Sequence, residues 1–91
     1  MAKKRERLEV INDILSVIRD NKNSIKPTRL LYASNLSPQM FKEYVNELLD
    51  KEFIEQAGDK KGKRIFSLTE KGFEFLEKYK TIVAFVDNFG L

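Results

Sequence analysis

Thr28-Arg29-Leu30-Leu31-Tyr32-Ala33-Ser34-Asn35-Leu36-Ser37-Pro38-Gln39-Met40-Phe41-Lys42-Glu43-Tyr44-Val45-Asn46-Glu47-Leu48-Leu49-Asp50 reads as two short helices and the turn between them. Thr28, after Pro27, is the expected N-cap of a helix carrying Leu30, Leu31 and Ala33. Ser34-Asn35 closes it, since Asn tolerates the left-handed conformation that a tight exit needs. The next helix starts almost at once. Ser37 can cap it, Pro38 suits its first position, and Leu36 and Phe41 occupy the two staple positions. Phe41, Tyr44, Val45, Leu48 and Leu49 then share one apolar face, so the segment has the order helix, turn, helix.

Downstream, Phe53–Ala57 and Arg64–Leu68 are short strand candidates. Gly58-Asp59-Lys60-Lys61-Gly62-Lys63 joins them, with two glycines expected to supply positive φ. Thr69 is placed to cap a last helix, with Glu70 in its first turn, where a negative charge suits the helix dipole. Gly72 costs that helix about 1 kcal/mol, which suggests that another chain segment passes close to it. Upstream, Leu8, Ile11, Ile14, Leu15 and Ile18 recur at helical spacing, predicting a first helix over about residues 6–21 that ends in the polar loop Asn21-Lys22-Asn23-Ser24.

The composition excludes several functions. With 91 residues there is room for one small core. The chain has no Cys and no His, which removes disulfides, cysteine and histidine catalysis and the usual zinc ligand sets. No Gly-rich phosphate loop follows a strand. Enzymatic activity is therefore not expected, nor is a cofactor, a metal or a small-molecule ligand. No apolar run reaches the roughly 18 residues of a membrane span, and the charged start lacks a signal peptide's apolar middle, so a cytoplasmic, nucleoid-associated protein is expected. The net charge is only +3, so an argument for nucleic acid rests on where the charges lie.

Together these signals predict an α+β, mostly α domain: a winged helix-turn-helix of three helices and a two-stranded wing over residues 1–68, with a C-terminal dimerisation helix over residues 69–91. In such a domain the third helix meets the major groove by its N-terminal turns. Ser37, Gln39, Lys42, Glu43 and Asn46 are then the candidate base readers. Gln or Asn pairs with adenine, Lys donates to guanine and Glu accepts from the cytosine amino group. Glu47, Asp50, Glu52 and Glu55 argue against deep insertion of the helix's second half, because phosphates repel them.

The hairpin concentrates Lys60, Lys61, Lys63 and Arg64 with only Asp59 opposing them, a pattern suited to phosphates and counterion release. Lys26, Thr28 and Arg29 sit at the start of the second helix, where backbone N–H groups favour anions. Lys3, Lys4, Arg5 and Arg7 are expected on a projecting arm. In the last helix, Phe73 and Leu76 are expected in the core. Phe75, Tyr79, Ile82, Val86 and Phe89 are spaced four, three, four and three, which is a heptad seam suited to a symmetric dimer. Burial of that seam against the first helix is the alternative.

Thr28-Arg29-Leu30-Leu31-Tyr32-Ala33-Ser34-Asn35-Leu36-Ser37, Tyr44-Val45-Asn46-Glu47-Leu48-Leu49 and Leu68-Thr69-Glu70-Lys71-Gly72 resemble the small archaeal winged-helix proteins of about ten kilodaltons, which include chromatin proteins and predicted transcription regulators. The likeness runs from about Lys3 to Tyr79. It implies a homodimer held by a coiled coil of the last helices, with two heads on double-stranded DNA and with Arg29 and the hairpin cations on its backbone. The departure is length: the chain stops at Leu91, so the dimer helix is short. The competing reading is a winged-helix module that docks on other proteins, which the acids of the third helix favour.

Overall fold

A computed structural model of the chain describes residues 6–90. Helices α1 (Arg7–Asp20), α2 (Pro27–Ser34) and α3 (Pro38–Asp50) precede strands β1 (Ile54–Gly58) and β2 (Arg64–Leu68), and α4 (Glu70–Asn88) ends the chain. The architecture is the expected mostly helical one with a two-stranded antiparallel wing.

One cluster makes the core. Val10, Ile11, Ile14, Leu15 and Ile18 of α1 meet Leu30, Val45, Leu48, Ile54, Phe66, Leu68 and Leu76 from every other element. Each fully buried aliphatic side chain contributes about 1.5–3 kcal/mol, so α1 is the largest single contributor. Its exit is tightly wound. Lys22 and Asn23 take φ of 63° and 56°, and the Asn23 N–H returns to the Ile18 carbonyl at 2.9 Å. The Asn23 side chain then accepts the Leu68 amide at 2.6 Å.

Two residues on, Ile25 donates to the Phe66 carbonyl at 3.1 Å and accepts the Phe66 amide at 2.8 Å. The segment expected as a plain polar loop thus leads into a backbone bridge that pairs the second edge of β2. Nothing in its periodicity signals this, because one residue is too short to show alternation.

The second helix starts two residues earlier than expected. Lys26 holds the N-cap position and Pro27 the first turn, so Thr28 is not the cap. Proline's fixed φ and missing N–H make it a better helix start than the residue after it. Asn35 does close α2 in the left-handed region, at φ 55° and ψ 41°. Ser37 caps α3 by accepting the Met40 amide at 3.2 Å. At the far end, Phe53 N–H returns to Leu48 and Glu52 N–H to Leu49, at 2.9 and 3.1 Å, with Glu52 left-handed at φ 62°. This is the paired-bond exit that glycine usually fills.

The strands pair from Ile54↔Leu68 to Gly58↔Arg64. Gly58 therefore belongs to β1, and of the two hairpin glycines only Gly62, at φ 76°, uses the left-handed freedom expected of both.

Thr69 caps α4 by accepting the Gly72 amide at 3.2 Å. A Cβ on Gly72 would lie 2.3 Å from the Phe53 carbonyl oxygen, which is the close approach that the glycine implied. That contact also sets the rotational phase of α4. Each residue turns a helix by about 100°, so Leu76 follows Gly72 inward, Phe75 lies about 60° to one side and Phe73 about 100° to the other. Phe73, expected in the core, is accordingly 40% exposed, while Phe75 packs against the core.

Gly72→Ala is expected to lower stability by about 2 kcal/mol, overpacking outweighing the helix-propensity gain of about 1 kcal/mol. Urea denaturation checks this; an unchanged or higher midpoint would show that the Phe53 carbonyl gives way.

Candidate nucleic-acid interface

The first part of the site is the outer face of α3. With Val45 and Leu48 buried, Ser37, Gln39, Lys42, Glu43, Asn46 and Asp50 are all exposed along the opposite side. Glu47 is different. It accepts from Lys51 Nζ at 2.9 Å and also pairs with Arg7, whose guanidinium lies 6.0 Å from the centre of the Tyr44 ring. Arg7, expected on a projecting arm, is instead the first residue of α1, drawn to α3 by a carboxylate and an aromatic face. One of the acids that would repel a phosphate thereby carries its own counter-charges. Lys3, Lys4 and Arg5 lie outside the described residues.

The wing is the second part. Lys60, Lys61, Lys63 and Arg64 are all exposed, and Asp59 organises them rather than merely opposing them. Asp59 Oδ1 accepts the Lys61 and Lys63 amides at 2.8 and 2.9 Å, the Asp59 amide donates to the Lys63 carbonyl at 2.7 Å, and Gly62 closes the turn onto Asp59. The two amide bonds, Lys63 first and Lys61 second, hold the Asp59 carboxyl below its ordinary value, with the charges of Lys26 and Lys63 adding to them.

Among the wing cations, the lysines make no side-chain bond with the described residues, whereas Arg64 is held twice. Its Nε donates to Gln56 Oε1 at 2.5 Å, and its guanidinium lies 5.0 Å from the centre of the buried Phe66 ring. Gln56 escaped the sequence reading because its diagonal relation to Arg64 exists only once the register Gln56↔Phe66 is known.

The start of α2 adjoins the wing. The Ile25–Phe66 bridge ties the two together, and Lys26 is close enough to Asp59 to act on its carboxyl. Thr28 and Arg29 are exposed on the first turn of α2, whose N-cap residue Lys26 offers no side-chain acceptor.

The predicted seam on α4 divides. Phe75 meets Phe53 edge-on at 5.7 Å and stacks on Tyr79 at 5.8 Å, so both have ring partners within the chain. Burial, then the charges of Glu9, Asp13 and Glu6 on or beside α1, push the Tyr79 phenol up. Beyond Tyr79 the helix sheds its cover. Ile82 is 56% and Phe89 68% exposed, and Val86 is half-buried. Among the described residues no helix is long and apolar enough to cross a membrane.

Because the bonded form of Asp59 is the carboxylate and its folded value is lowered, its contribution to wing order is complete above the ordinary value of 3.8 and is lost as pH falls through the lowered one. Amide exchange at Lys61 and Lys63, corrected for intrinsic rates, should accelerate from about pH 6 to about pH 2. Asp59→Ala should produce the same acceleration at neutral pH. Unchanged protection in both cases would show that the turn stands without the carboxylate.

Two proteins of Methanocaldococcus jannaschii, both uncharacterised, are similar in sequence. One is 34% identical over 79 residues, covering 87% of this chain and 34% of that protein. The other is 42% identical over 69 residues, covering 76% and 64%. The chain thus spans only about a third and just under two thirds of these relatives. In fold it is similar to Sso10a-2, a DNA-binding protein from Sulfolobus solfataricus, with a TM-score of 0.75 at 20% identity over 93% of this chain and 85% of that one. It is also similar to a mutant MarR from E. coli complexed with operator DNA, with a TM-score of 0.66 at 20% identity over 75% of this chain and 49% of that one. The profile of a winged helix-turn-helix family matches residues 4–86, and the chain belongs to that family.

Proposed function

We propose that the protein binds double-stranded DNA as a homodimer and acts as a transcription regulator or an architectural protein of chromatin. Residues 1–68 serve as the DNA-binding head and residues 69–91 as the joining segment, on cytoplasmic, nucleoid-associated DNA. The observation that carries this reading is the wing. Three exposed lysines, whose side chains make no bond with the described residues, and one oriented arginine stand on a hairpin organised by Asp59, and a backbone bridge joins that hairpin to the cationic start of α2. Phosphates would relieve the repulsion among those charges and release counterions. Neutralisation of Glu47 by Arg7 and Lys51 removes an obstacle to bringing α3 to the same duplex. Similar winged-helix proteins are described by the DNA that they bind, which supports the same direction.

Exposed Asp50, Glu52 and Glu55 favour the second reading, a module that docks on other proteins. Titration of a labelled duplex at several salt concentrations separates the two. With about 4 phosphates per head, a dimer gives a log–log slope near −7. Lys60→Ala with Lys61→Ala weakens binding to all sequences alike, whereas Gln39→Ala changes sequence preference. Wild-type protein without salt-dependent binding would leave the docking module as the better account.

The dimer reading rests on the bare end of α4. Ile82, Phe85 and Phe89 leave an apolar surface that a second copy would cover. Sedimentation at micromolar concentration is expected to give a dimer for the wild type and a monomer for Ile82→Asp. A monomeric wild type would remove the dimer while leaving DNA binding by a single head open to the titration.

A further inference from the structure

Tyr32 is the most exposed large hydrophobic side chain among the described residues, at 79%. Its side chain makes no hydrogen bond and no ring contact with them. Exposure alone decides nothing, since isolated surface aromatics are ordinary. The surroundings of this one decide more. With about 100° per residue, Thr28, Tyr32 and Arg29 fall within about 100° of one another on α2, opposite the buried Leu30 and Ser34. Helix α2 contains no acidic residue, and the hairpin carboxylate that Lys26 acts on, Asp59, is already engaged by the Lys61 and Lys63 amides. The face therefore offers a guanidinium, a threonine hydroxyl and a phenol, all able to donate, with no carboxylate among them.

We propose that Tyr32 is a further DNA-binding residue, its phenol donating to a phosphate oxygen beside the one that Arg29 neutralises. This rests on the DNA-binding reading given above. Hydroxyl and guanidinium donors that track a backbone are the usual means by which a protein fixes its register on a duplex. A protein partner would call for an apolar setting, whereas Tyr32 shares its face with Thr28, Arg29 and the small Ala33. Its location also gives the contact a purpose. The Tyr32 carbonyl accepts the Asn35 amide at 3.4 Å, within the left-handed turn that leads to Ser37 and α3. A phosphate held at Tyr32 would set how α3 meets the groove.

The test uses the full chain and a labelled duplex, with wild type, Tyr32→Phe, Tyr32→Ala and Arg29→Ala compared at several salt concentrations. Tyr32→Phe, which keeps the ring and the fold, is expected to weaken binding about ten- to a hundredfold, the range for one hydrogen bond to a charged group. Because the lost group is neutral, the salt slope should stay at the wild-type value, while Arg29→Ala makes it shallower by about 1 per head. Unchanged affinity in Tyr32→Phe overturns the assignment, whether or not Tyr32→Ala binds more weakly. If affinity is also unchanged in Tyr32→Ala while Lys60→Ala with Lys61→Ala weakens binding, DNA binding stands and the phenol is left to a protein surface. A wild type that binds no duplex overturns both readings.

Discussion

The carbonyl groups of Lys51, Glu52 and Phe53, just past the end of α3, find their partners at the start of α4, and that junction organises the rest of the molecule. Lys71 Nζ takes the Lys51 carbonyl at 2.8 Å and lies 4.6 Å from the centre of the Phe53 ring. The Thr69 hydroxyl donates its one proton to the Glu52 carbonyl at 2.6 Å with the Phe53 carbonyl 3.1 Å away, and the Thr69 amide donates to the Phe53 carbonyl at 3.2 Å. Gly72 leaves the space that the Phe53 oxygen occupies. The Phe53 carbonyl is the part-buried one of the three, and leaving such a group without a partner costs about 1–3 kcal/mol, so the approach of Thr69 and Gly72 to it is closely set. Since β1 begins at Ile54 and β2 ends at Leu68, the same junction fixes both ends of the hairpin, the exit of α3 and the start of α4.

This anchoring explains why charge can be displayed so freely at the other end of the wing. The stem is held by Thr69 at its base, by the register through Gly58↔Arg64, and by Ile25 along its second edge. The turn is held by Asp59, so the lysine side chains need contribute nothing to the fold. Arg64 is the exception, and it suits a different task. A guanidinium with its Nε engaged and one face against Phe66 presents only its outer nitrogens, in a preset direction. Flexible lysines give reach, and an oriented arginine gives geometry.

The helix that leaves the junction serves two environments in turn. Through Leu76 it is part of the core, and Phe75 and Tyr79 still have ring partners within the chain. Past that point it runs off the body, which contributes to principal extents of 49 × 30 × 22 Å. The phase imposed at Gly72 is what turns Phe73 outward and Phe75 inward. A seam read from spacing alone assigns Phe75 wholly to a partner, since spacing reports relative angles and not which angle faces the core.

Sequence alone determined the features whose causes lie within about one helical turn of each residue. Asn35 leaves α2 left-handed, Ser37 and Thr69 accept amides three residues on, and the periods of α1 and α3 pick out their buried faces, because caps and periodicity are local physics. Tertiary structure decided whatever joins residues far apart in the chain. Arg7 found Glu47, Asn23 found the Leu68 amide, and Ile25 found β2, none of which leaves a trace in spacing. Gln56 met Arg64 only after the hairpin register had brought them together. Those pairings turned a list of candidate cations into distinct roles, since a charge is defined as much by what already neutralises it as by its own sign.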